Sequence, residues 1–127
     1  MNLLLDTHAL LWYISGSSKL PEKMVNLINN KSNKCFVSIP SIWETAIKLS
    51  LKRLTVEGGF QVIEDFFRDN DFTILDISFQ DMKSIIDLEF HHRDPFDRII
   101  IAQAMQSQLT IISKDQFFQN YDVNVLW

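Results

Sequence analysis

Short continuous apolar runs alternate with segments of helical periodicity along this chain. Leu3-Leu4-Leu5 is apolar without interruption, which is typical of a strand buried on both faces. Similar short runs predict strands at residues 35–38, 72–77, 109–113 and 123–126. Between them, apolar residues recur three and four positions apart, which predicts helices. The predicted helices begin at Asp6, Pro21, Ser41 (ending near Leu54), about Phe60, about Phe79 and Pro95 (ending near Gln106).

Strands that alternate with helices predict an α/β fold, in which a parallel sheet is covered by helices on both faces. The chain has 127 residues and only 3 Gly and 3 Pro, so we expect one domain, residues 1–127, with short connections. In a parallel sheet, ligands bind at the carboxyl ends of the strands. Side chains that follow strands are therefore the first candidates for a functional site.

The composition is that of an ordinary globular protein, with 46% hydrophobic and 22% charged residues. The longest apolar run, residues 9–14, is far too short to span a bilayer, as is the run at residues 99–102, and no secretory signal is recognisable near Met1. The only cysteine, Cys35, can form neither an internal disulfide nor a zinc site. We therefore expect no membrane association and a cytoplasmic location.

Four acidic residues stand where helices follow strands or begin. Asp6 comes directly after the first predicted strand, Glu44 shortly after the second and Asp115 after the fourth, while Asp97 lies in the first turn of the last helix. In a parallel sheet these side chains would meet at one edge. Clustered carboxylates repel one another unless cations neutralise them, and oxygen ligands without His or Cys suit Mg²⁺ or Mn²⁺. Such ions commonly serve phosphodiester hydrolysis.

Each of these acids also has a purely local explanation: three stand at helix starts, and Asp115 could open a turn after Ser113 and Lys114. Asp6 is a plausible N-cap, and Ser41 with Glu44 has the spacing of a capping box. Asp94 precedes Pro95, so Asp94 is the expected N-cap of that helix. The negative charge of Asp97 in the first turn is favoured by the positive end of the helix dipole. Taken singly, capping is the simpler explanation for each acid. Capping does not explain why four such acids should face the same edge.

The charge distribution is uneven. The formal net charge is −4, but residues 1–56 hold seven basic and three acidic residues, whereas residues 57–97 hold three basic and eleven acidic ones. An acidic chain is a poor general binder of nucleic acid, because phosphate contacts need Lys and Arg. Either the partner is not a nucleic acid, or some of the acids are grouped and bind cations.

Four sequence blocks together resemble PIN-domain ribonucleases of the VapC toxin type. Any one block is a weak match, but the four occur in the family's order and span most of the chain, with a variable region at 54–90 between them. The blocks are LLDTHALLW from Leu4, VSIPSIWETAIK from Val37, HRDPFDRIIIAQA from His92 and IISKD from Ile111.

The resemblance implies a PIN-like three-layer sandwich, with a central five-stranded parallel sheet flanked by helices. It also implies metal-dependent RNA cleavage, a homodimer, and a cognate antitoxin whose tail blocks the acidic site. It places the family's acidic quartet at Asp6, Glu44, Asp97 and Asp115, and puts supporting hydroxyls at Thr7 and Ser113. We expect water, activated by Mg²⁺ or Mn²⁺ and a carboxylate, to attack the phosphodiester without a covalent intermediate.

Several basic residues are candidates to contact RNA phosphates near this site. Lys48, Lys52 and Arg53 could equally form a solvated helix face, and Arg98 could instead pair with a neighbouring carboxylate. Relatives often carry Gly near Lys52, so the helix is expected to run longer here. The full set of candidates is Lys48, Lys52, Arg53, Arg93, Arg98 and Lys114.

Other residues are expected to serve structure or partners. His8, His91 and His92 lack the spacing of a zinc site, which favours structural or surface roles. The apolar residues 10–13, including Trp12, are expected to form a partner surface.

Two rival functions remain open. A phosphatase or phosphotransferase would use Asp6 as phospho-acceptor, but such enzymes usually need Asp at the place of His8. A catalytically inactive PIN-fold binding module would not need four intact acids.

Overall fold

The computed structural model describes residues 1–127 as five strands alternating with helices, as the sequence predicts. The strands are β1 (Asn2–Leu5), β2 (Lys34–Ser38), β3 (Phe72–Leu75), β4 (Thr110–Ile112) and β5 (Asn124–Leu126). The α-helices are α1 (Thr7–Ser15), α2 (Glu22–Asn29), α3 (Ile39–Ser50), α4 (Phe60–Asp69), α5 (Phe79–Asp87) and α6 (Pro95–Ser107). A short 3₁₀ helix (Gln116–Asn120) follows β4.

The five strands form one parallel sheet in the order β3-β2-β1-β4-β5. The chain builds outward from β1 to β3 and then returns to place β4 on the other side of β1. This reversal leaves a crevice between the carboxyl ends of β1 and β4, which is where open α/β sheets bind ligands. Leu5 pairs with Ile112 across this junction, so both strands end at the same level.

The side chains of β1 alternate between two cores, one on each face of the sheet. Leu3 and Leu5 are fully buried with residues of α1 and α2, whereas Leu4 is fully buried on the opposite face with Ile100 and Ile101 of α6. Burying one such side chain stabilises the fold by about 1.5–3 kcal/mol. Helices therefore cover both faces of the sheet, and the expected three-layer sandwich is confirmed.

Helix α3 differs from its sequence prediction at both ends. It begins at Ile39 rather than Ser41, because Pro40 fits the first turn, where its missing N–H is not needed. It ends at Ser50 rather than near Leu54, and Lys52 adopts a left-handed conformation with φ of 56°. The expected longer helix is therefore wrong, and the chain turns at the position where relatives often carry Gly.

The apolar stretch of α1 is only partly available to partners. Leu10 is fully buried in the core, and the Tyr13 ring packs against Phe66 and Phe72 at centroid distances of 5.9 Å. Leu11 and Trp12 are half-buried. The predicted partner surface at residues 10–13 is wrong for Leu10, because helical periodicity turns this residue inward.

No helix of the protein combines the length and apolar character needed to cross a membrane.

Candidate active site

Four carboxylates carried by different elements line one cavity of about 360 Å³ at the carboxyl edge of the sheet. Asp6 is the N-cap of α1 directly after β1, and Asp115 is the N-cap of the 3₁₀ helix after β4. Glu44 comes from α3 and Asp97 from the first turn of α6. The rest of the lining is Thr7, His8, Trp12, Lys48, Asp94 and Lys114.

Asp6 lies deepest of the four, with 5% of its surface exposed. One oxygen accepts the Ala9 backbone N–H at 2.8 Å, and the other accepts the Ser113 hydroxyl at 2.5 Å. The Ser113 hydroxyl oxygen also accepts the Asp115 N–H at 3.0 Å, so this serine links two of the acids. Burial raises the pKa of Asp6 above its usual range, although its hydrogen bonds lower it.

Glu44 is held by side chains and not by the start of its own helix. Its Oε1 accepts the Thr7 hydroxyl at 2.6 Å, and its Oε2 lies 2.9 Å from the Lys48 ammonium one helical turn away. Because α3 begins earlier than the sequence predicts, the expected Ser41–Glu44 capping box is wrong. The Ser41 hydroxyl is buried inside the helix without a hydrogen-bond partner, and Glu44 is free to face the cavity.

Asp97 shows how strongly the cavity disfavours negative charge. Its pKa rises from 3.8 to about 7, chiefly because of burial and then because of the charge on Asp94. Asp6 and Glu44 raise the pKa further, while His92 lowers it. A divalent cation between these carboxylates would offset the repulsion.

Asp94 occupies the N-cap position of α6 that the sequence predicts. Its Oδ1 accepts the backbone N–H groups of Phe96 at 2.8 Å and Asp97 at 3.2 Å. Pro95 takes the first helical position, which leaves the Asp97 side chain to face the cavity. Asp94 also lines this cavity, so its negative charge acts on the cluster even though one oxygen is engaged by the backbone.

His92 lies within the acidic cluster, although the sequence favoured only a structural or surface role for it. Its Nε2 lies 2.6 Å from Asp115 Oδ2 and 3.1 Å from Asp97 Oδ2. The three side chains offer ligand atoms within 4.8 Å of one another. Its place two residues before Asp94 gave no periodic signal, because residues 88–94 form no helix or strand.

The other two histidines differ in their surroundings. His91 is exposed and pairs with Glu89 at 2.6 Å, which agrees with a surface role. His8 is exposed at the rim of the acidic cavity, where its ring stacks on that of Trp12.

The basic residues predicted to contact RNA divide into two groups. Lys48 and Lys114 line the acidic cavity directly. Lys52, Arg53 and Arg93 are exposed outside the lining, the first two in the turn after α3.

Arg98 has neither of the roles that the sequence suggested. It is buried, and its guanidinium donates to four backbone carbonyl oxygens, those of Ile85, Leu88, Glu89 and His92, at 2.9–3.3 Å. It also lies 4.0 Å from the centre of the Phe90 ring. Arg98 therefore ties the segment between α5 and α6 to the fold. Its prediction as an RNA contact is wrong, because a buried guanidinium already satisfied by carbonyls cannot reach a phosphate.

The donor set of this cavity fits a hard divalent cation. Carboxylate oxygens predominate in it. The hydroxyls of Thr7 and Ser113 donate hydrogen bonds to Glu44 and Asp6 and so orient these two acids. Burial, and then the charges of neighbouring carboxylates, raise the pKa of Asp97, so the cavity holds negative charge unfavourably without a cation. Asp6, Glu44, Asp97 and Asp115 are the residues that could hold the ion.

The PIN domain family model matches residues 3–124, which is nearly the whole chain. The chain belongs to the PIN domain family. The sequence resemblance stated above is thereby confirmed at the level of the family. No curated protein matches the sequence.

Solved toxin–antitoxin complexes share this PIN fold. VapBC2 from Rickettsia felis, bound to a DNA fragment from its promoter, matches with a TM-score of 0.76 and 17% identity over 100% of this chain and 99% of that one. DNA-bound VapBC from Salmonella typhimurium matches with a TM-score of 0.76 and 20% identity over 99% and 97%. A toxin–antitoxin complex from Klebsiella pneumoniae matches with a TM-score of 0.69 and 20% identity over 98% of this chain and 96% of that one. At these identities the likeness establishes the fold alone.

In this PIN domain the acidic cavity lies at the crevice between β1 and β4, where the strand order reverses. Asp6 and Asp115 stand on either side of that crevice, linked by Ser113. The topology of the sheet, rather than any one loop, therefore brings together acids that are 109 positions apart in the sequence.

Proposed function

We propose that this protein is a Mg²⁺- or Mn²⁺-dependent endoribonuclease and the toxin of a type II toxin–antitoxin pair. The observation that carries the proposal is the convergence of Asp6, Glu44, Asp97 and Asp115 on one cavity at the crevice of a PIN fold. The family match supports a nuclease, and the raised pKa of Asp97 supports a cation among the acids. RNA cleavage also implies a cytoplasmic location, and the match over residues 3–124 supports a single PIN domain.

The residues of the cavity divide the work of phosphodiester hydrolysis. Asp6, Glu44, Asp97 and Asp115 would hold a divalent cation, which would supply an activated water and charge stabilisation for the reaction. Thr7 and Ser113 fix the orientation of Glu44 and Asp6 by short hydrogen bonds, so these carboxylates are preorganised. A carboxylate of the cluster takes the proton of the attacking water, and Lys48 and Lys114 attract the phosphate.

The environment of Asp6 argues against the phosphotransferase alternative. Both carboxylate oxygens accept hydrogen bonds, and only 5% of the residue's surface is exposed. A phospho-acceptor must be exposed enough for the incoming phosphate to reach it in line, whereas a metal ion needs only the remaining lone pair of an Asp6 oxygen. His8 also stands where a second Asp is usual in that class, and its ring stacks on Trp12. Hydrolysis by water is the better fit.

An antitoxin is the proposed protein partner of this chain. An apolar groove of about 400 Å³ lies between α1, the turn at 54–57 and α4. His8 and Trp12 line both this groove and the acidic cavity. A segment bound in the groove could therefore extend its end into the acidic site, as the family resemblance implies.

A homodimer is also proposed, and the exposed apolar residues of α5 and its C-terminal loop support it. Phe79, Ile86 and Phe90 are exposed over 81%, 79% and 77% of their surfaces. Large apolar side chains left this exposed together are typical of an interface. Light scattering on the purified protein and on a Phe79→Glu, Ile86→Glu variant tests this, with a dimer expected to become a monomer.

Cleavage of total cellular RNA tests the proposed function. Purified protein is incubated with RNA in Mg²⁺, in Mn²⁺ or in EDTA, and the new ends are mapped. Discrete cuts are expected only with metal, and Asp97→Asn should abolish them. The exposed Asp87→Asn is the matched control and should cleave normally. Unchanged RNA under every condition would contradict the proposal.

A further inference from the structure

His92 is placed to act on two of the proposed metal ligands at once. Its Nε2 is 2.6 Å from Asp115 Oδ2 and 3.1 Å from Asp97 Oδ2. The chain around it is fixed on both sides, since its backbone N–H donates to the Tyr121 hydroxyl at 2.8 Å and its carbonyl accepts from Arg98 at 3.1 Å. The side chain is only 12% exposed.

The other ring nitrogen decides what Nε2 can do. His92 Nδ1 accepts the backbone N–H of Asp94 at 3.2 Å, so Nδ1 carries no hydrogen. In a neutral imidazole the hydrogen then lies on Nε2, and this tautomer is assigned from the hydrogen-bond network. An Nε2–H group donates to carboxylates and has no lone pair for a metal ion. The backbone N–H of Asp94 thereby sets the role of His92.

Resting on the proposed function, we infer that His92 is a positioning residue that holds the Asp97 and Asp115 carboxylates together for the cation and is not itself a ligand. Each carboxylate oxygen keeps a further lone pair after accepting from Nε2–H, so both acids can still bind metal. Hydrogen bonds of this kind to ligating carboxylates commonly change metal affinity 10- to 100-fold.

Amide substitutions separate this role from ligation. In His92→Gln the amide nitrogen lies near the place of Nε2, whereas in His92→Asn it lies near Nδ1 and cannot reach the acids. Calorimetric titration of Mn²⁺ and Mg²⁺ into the metal-stripped proteins measures the result. His92→Gln should bind both ions with a Kd within about threefold of that of the original protein. His92→Asn and His92→Ala should bind both ions about 10- to 100-fold more weakly.

Three results would overturn the inference. Equal affinity in all four proteins would mean that His92 does not position the acids. A loss of affinity for Mn²⁺ but not for Mg²⁺ in His92→Gln would mean that His92 ligates the ion, since nitrogen ligands favour Mn²⁺ over Mg²⁺. No binding by the original protein would overturn the proposed metal site as well, which separates that failure from the other two. If the Ala variant does not fold, the Gln and Asn pair alone decides.

A second inference comes from the aromatic rings at the rim of the same cavity. The His8 ring stacks on the Trp12 ring, with centroids 5.5 Å apart and planes at 28°. The Trp12 ring also packs against Trp127 at a centroid distance of 5.8 Å, and the Lys19 ammonium lies 5.9 Å from its centre. His8 is exposed, so the outer face of its ring is open beside the acids.

Also resting on the proposed function, we propose that the outer face of His8 stacks a nucleobase next to the scissile phosphate. A base can reach this ring only when it is unpaired, so the substrate is single-stranded at the cut. Aromatic stacking of this kind is sequence-tolerant. Lys48 and Lys114, which line the same cavity, are placed to meet the adjoining phosphates.

Binding measurements with metal-free protein test this subsite apart from cleavage. A short single-stranded RNA should bind the original protein and His8→Phe alike, but His8→Ala about tenfold more weakly. One abasic nucleotide next to the cut should weaken binding to the original protein and not to His8→Ala. Equal binding by Ala and Phe variants, or tighter binding of a hairpin duplex, would overturn the subsite. RNA that binds as expected but is never cut would instead contradict the proposed function.

Discussion

At the scale of single residues, Asp6 combines deep burial with a negative charge. Its pKa is raised mainly by burial, so ionised Asp6 destabilises the metal-free fold. Asp6→Asn keeps the shape and an oxygen for the Ala9 N–H. We expect the metal-free variant to melt at the same temperature as the original protein or higher. Saturating Mn²⁺ should stabilise the original protein, by about 2.7 kcal/mol at 100 times Kd, and not the variant. Thermal melts with and without Mn²⁺ measure these effects. Equal stabilisation of the original protein and Asp6→Asn by Mn²⁺ would contradict a role of Asp6 in binding the cation.

The raised pKa of Asp97 predicts how the stability of the metal-free protein depends on pH. Because its folded pKa rises from 3.8 to about 7, the folded state favours the protonated carboxyl. This contribution is fully present below pH 3.8 and is lost as the pH rises to about 7. Asp97→Asn should therefore gain stability over the original protein across this range, on the order of 2 kcal/mol at neutral pH. Urea unfolding in EDTA at several pH values measures the difference, and a difference independent of pH would contradict the raised pKa.

Arg98 and Lys114 separate a structural base from a proposed RNA contact. Arg98→Met leaves four backbone carbonyls without their donor, so we expect a loss of about 3 kcal/mol or more in the free energy of unfolding. Lys114→Gln removes an exposed charge and should leave stability unchanged. It should weaken RNA binding and reduce its dependence on salt. Urea unfolding and binding at two salt concentrations test both variants. A stable Arg98→Met variant would show that these carbonyl contacts contribute little.

At the scale of elements, the start of α6 carries a prediction about Asp94. Its Oδ1 accepts two backbone N–H groups, and Ser can replace that function. Asp94→Ser should keep both stability and RNA cleavage, while Asp94→Ala should lose about 1 kcal/mol of stability. Thermal melts and cleavage rates measure these effects. If Asp94→Ser folds normally but cleaves as poorly as Asp97→Asn, the site uses a fifth carboxylate.

The elements that the sequence predicts best are those with a strong periodic or continuous apolar pattern. Leu3-Leu4-Leu5 indicates β1 because a strand buried on both faces needs apolar side chains throughout. The ends of α3 were not predictable in the same way. Its first turn accommodates Pro40, and its last turn is followed by Lys52 in a conformation that usually requires Gly. Such local choices depend on packing that the pattern alone does not reveal.

At the scale of the whole molecule, the sheet topology explains which parts of the site were visible in the sequence. The acids that follow β1 and β4 were visible because carboxyl ends of parallel strands share an edge. Contacts across the fold were not, since His92 meets Asp115 only after α6 and the 3₁₀ helix pack together. The role of Arg98 could not be predicted for the same reason, because three of its four carbonyl partners lie in the irregular segment between α5 and α6. The uneven charge is consistent with acids grouped for a cation.

Metal-dependent cleavage of a defined RNA tests the central claim most directly. A labelled single-stranded RNA spanning a mapped cut is incubated with metal-stripped protein in EDTA, and excess Mn²⁺ is then added. We predict no cleavage before the addition and rapid cleavage after it, without a 2′,3′-cyclic phosphate end because water and not the 2′-hydroxyl attacks. Asp6→Asn should stay inactive throughout. Equal cleavage in EDTA, or undiminished cleavage by Asp6→Asn, would contradict a metal-dependent nuclease built on these four carboxylates.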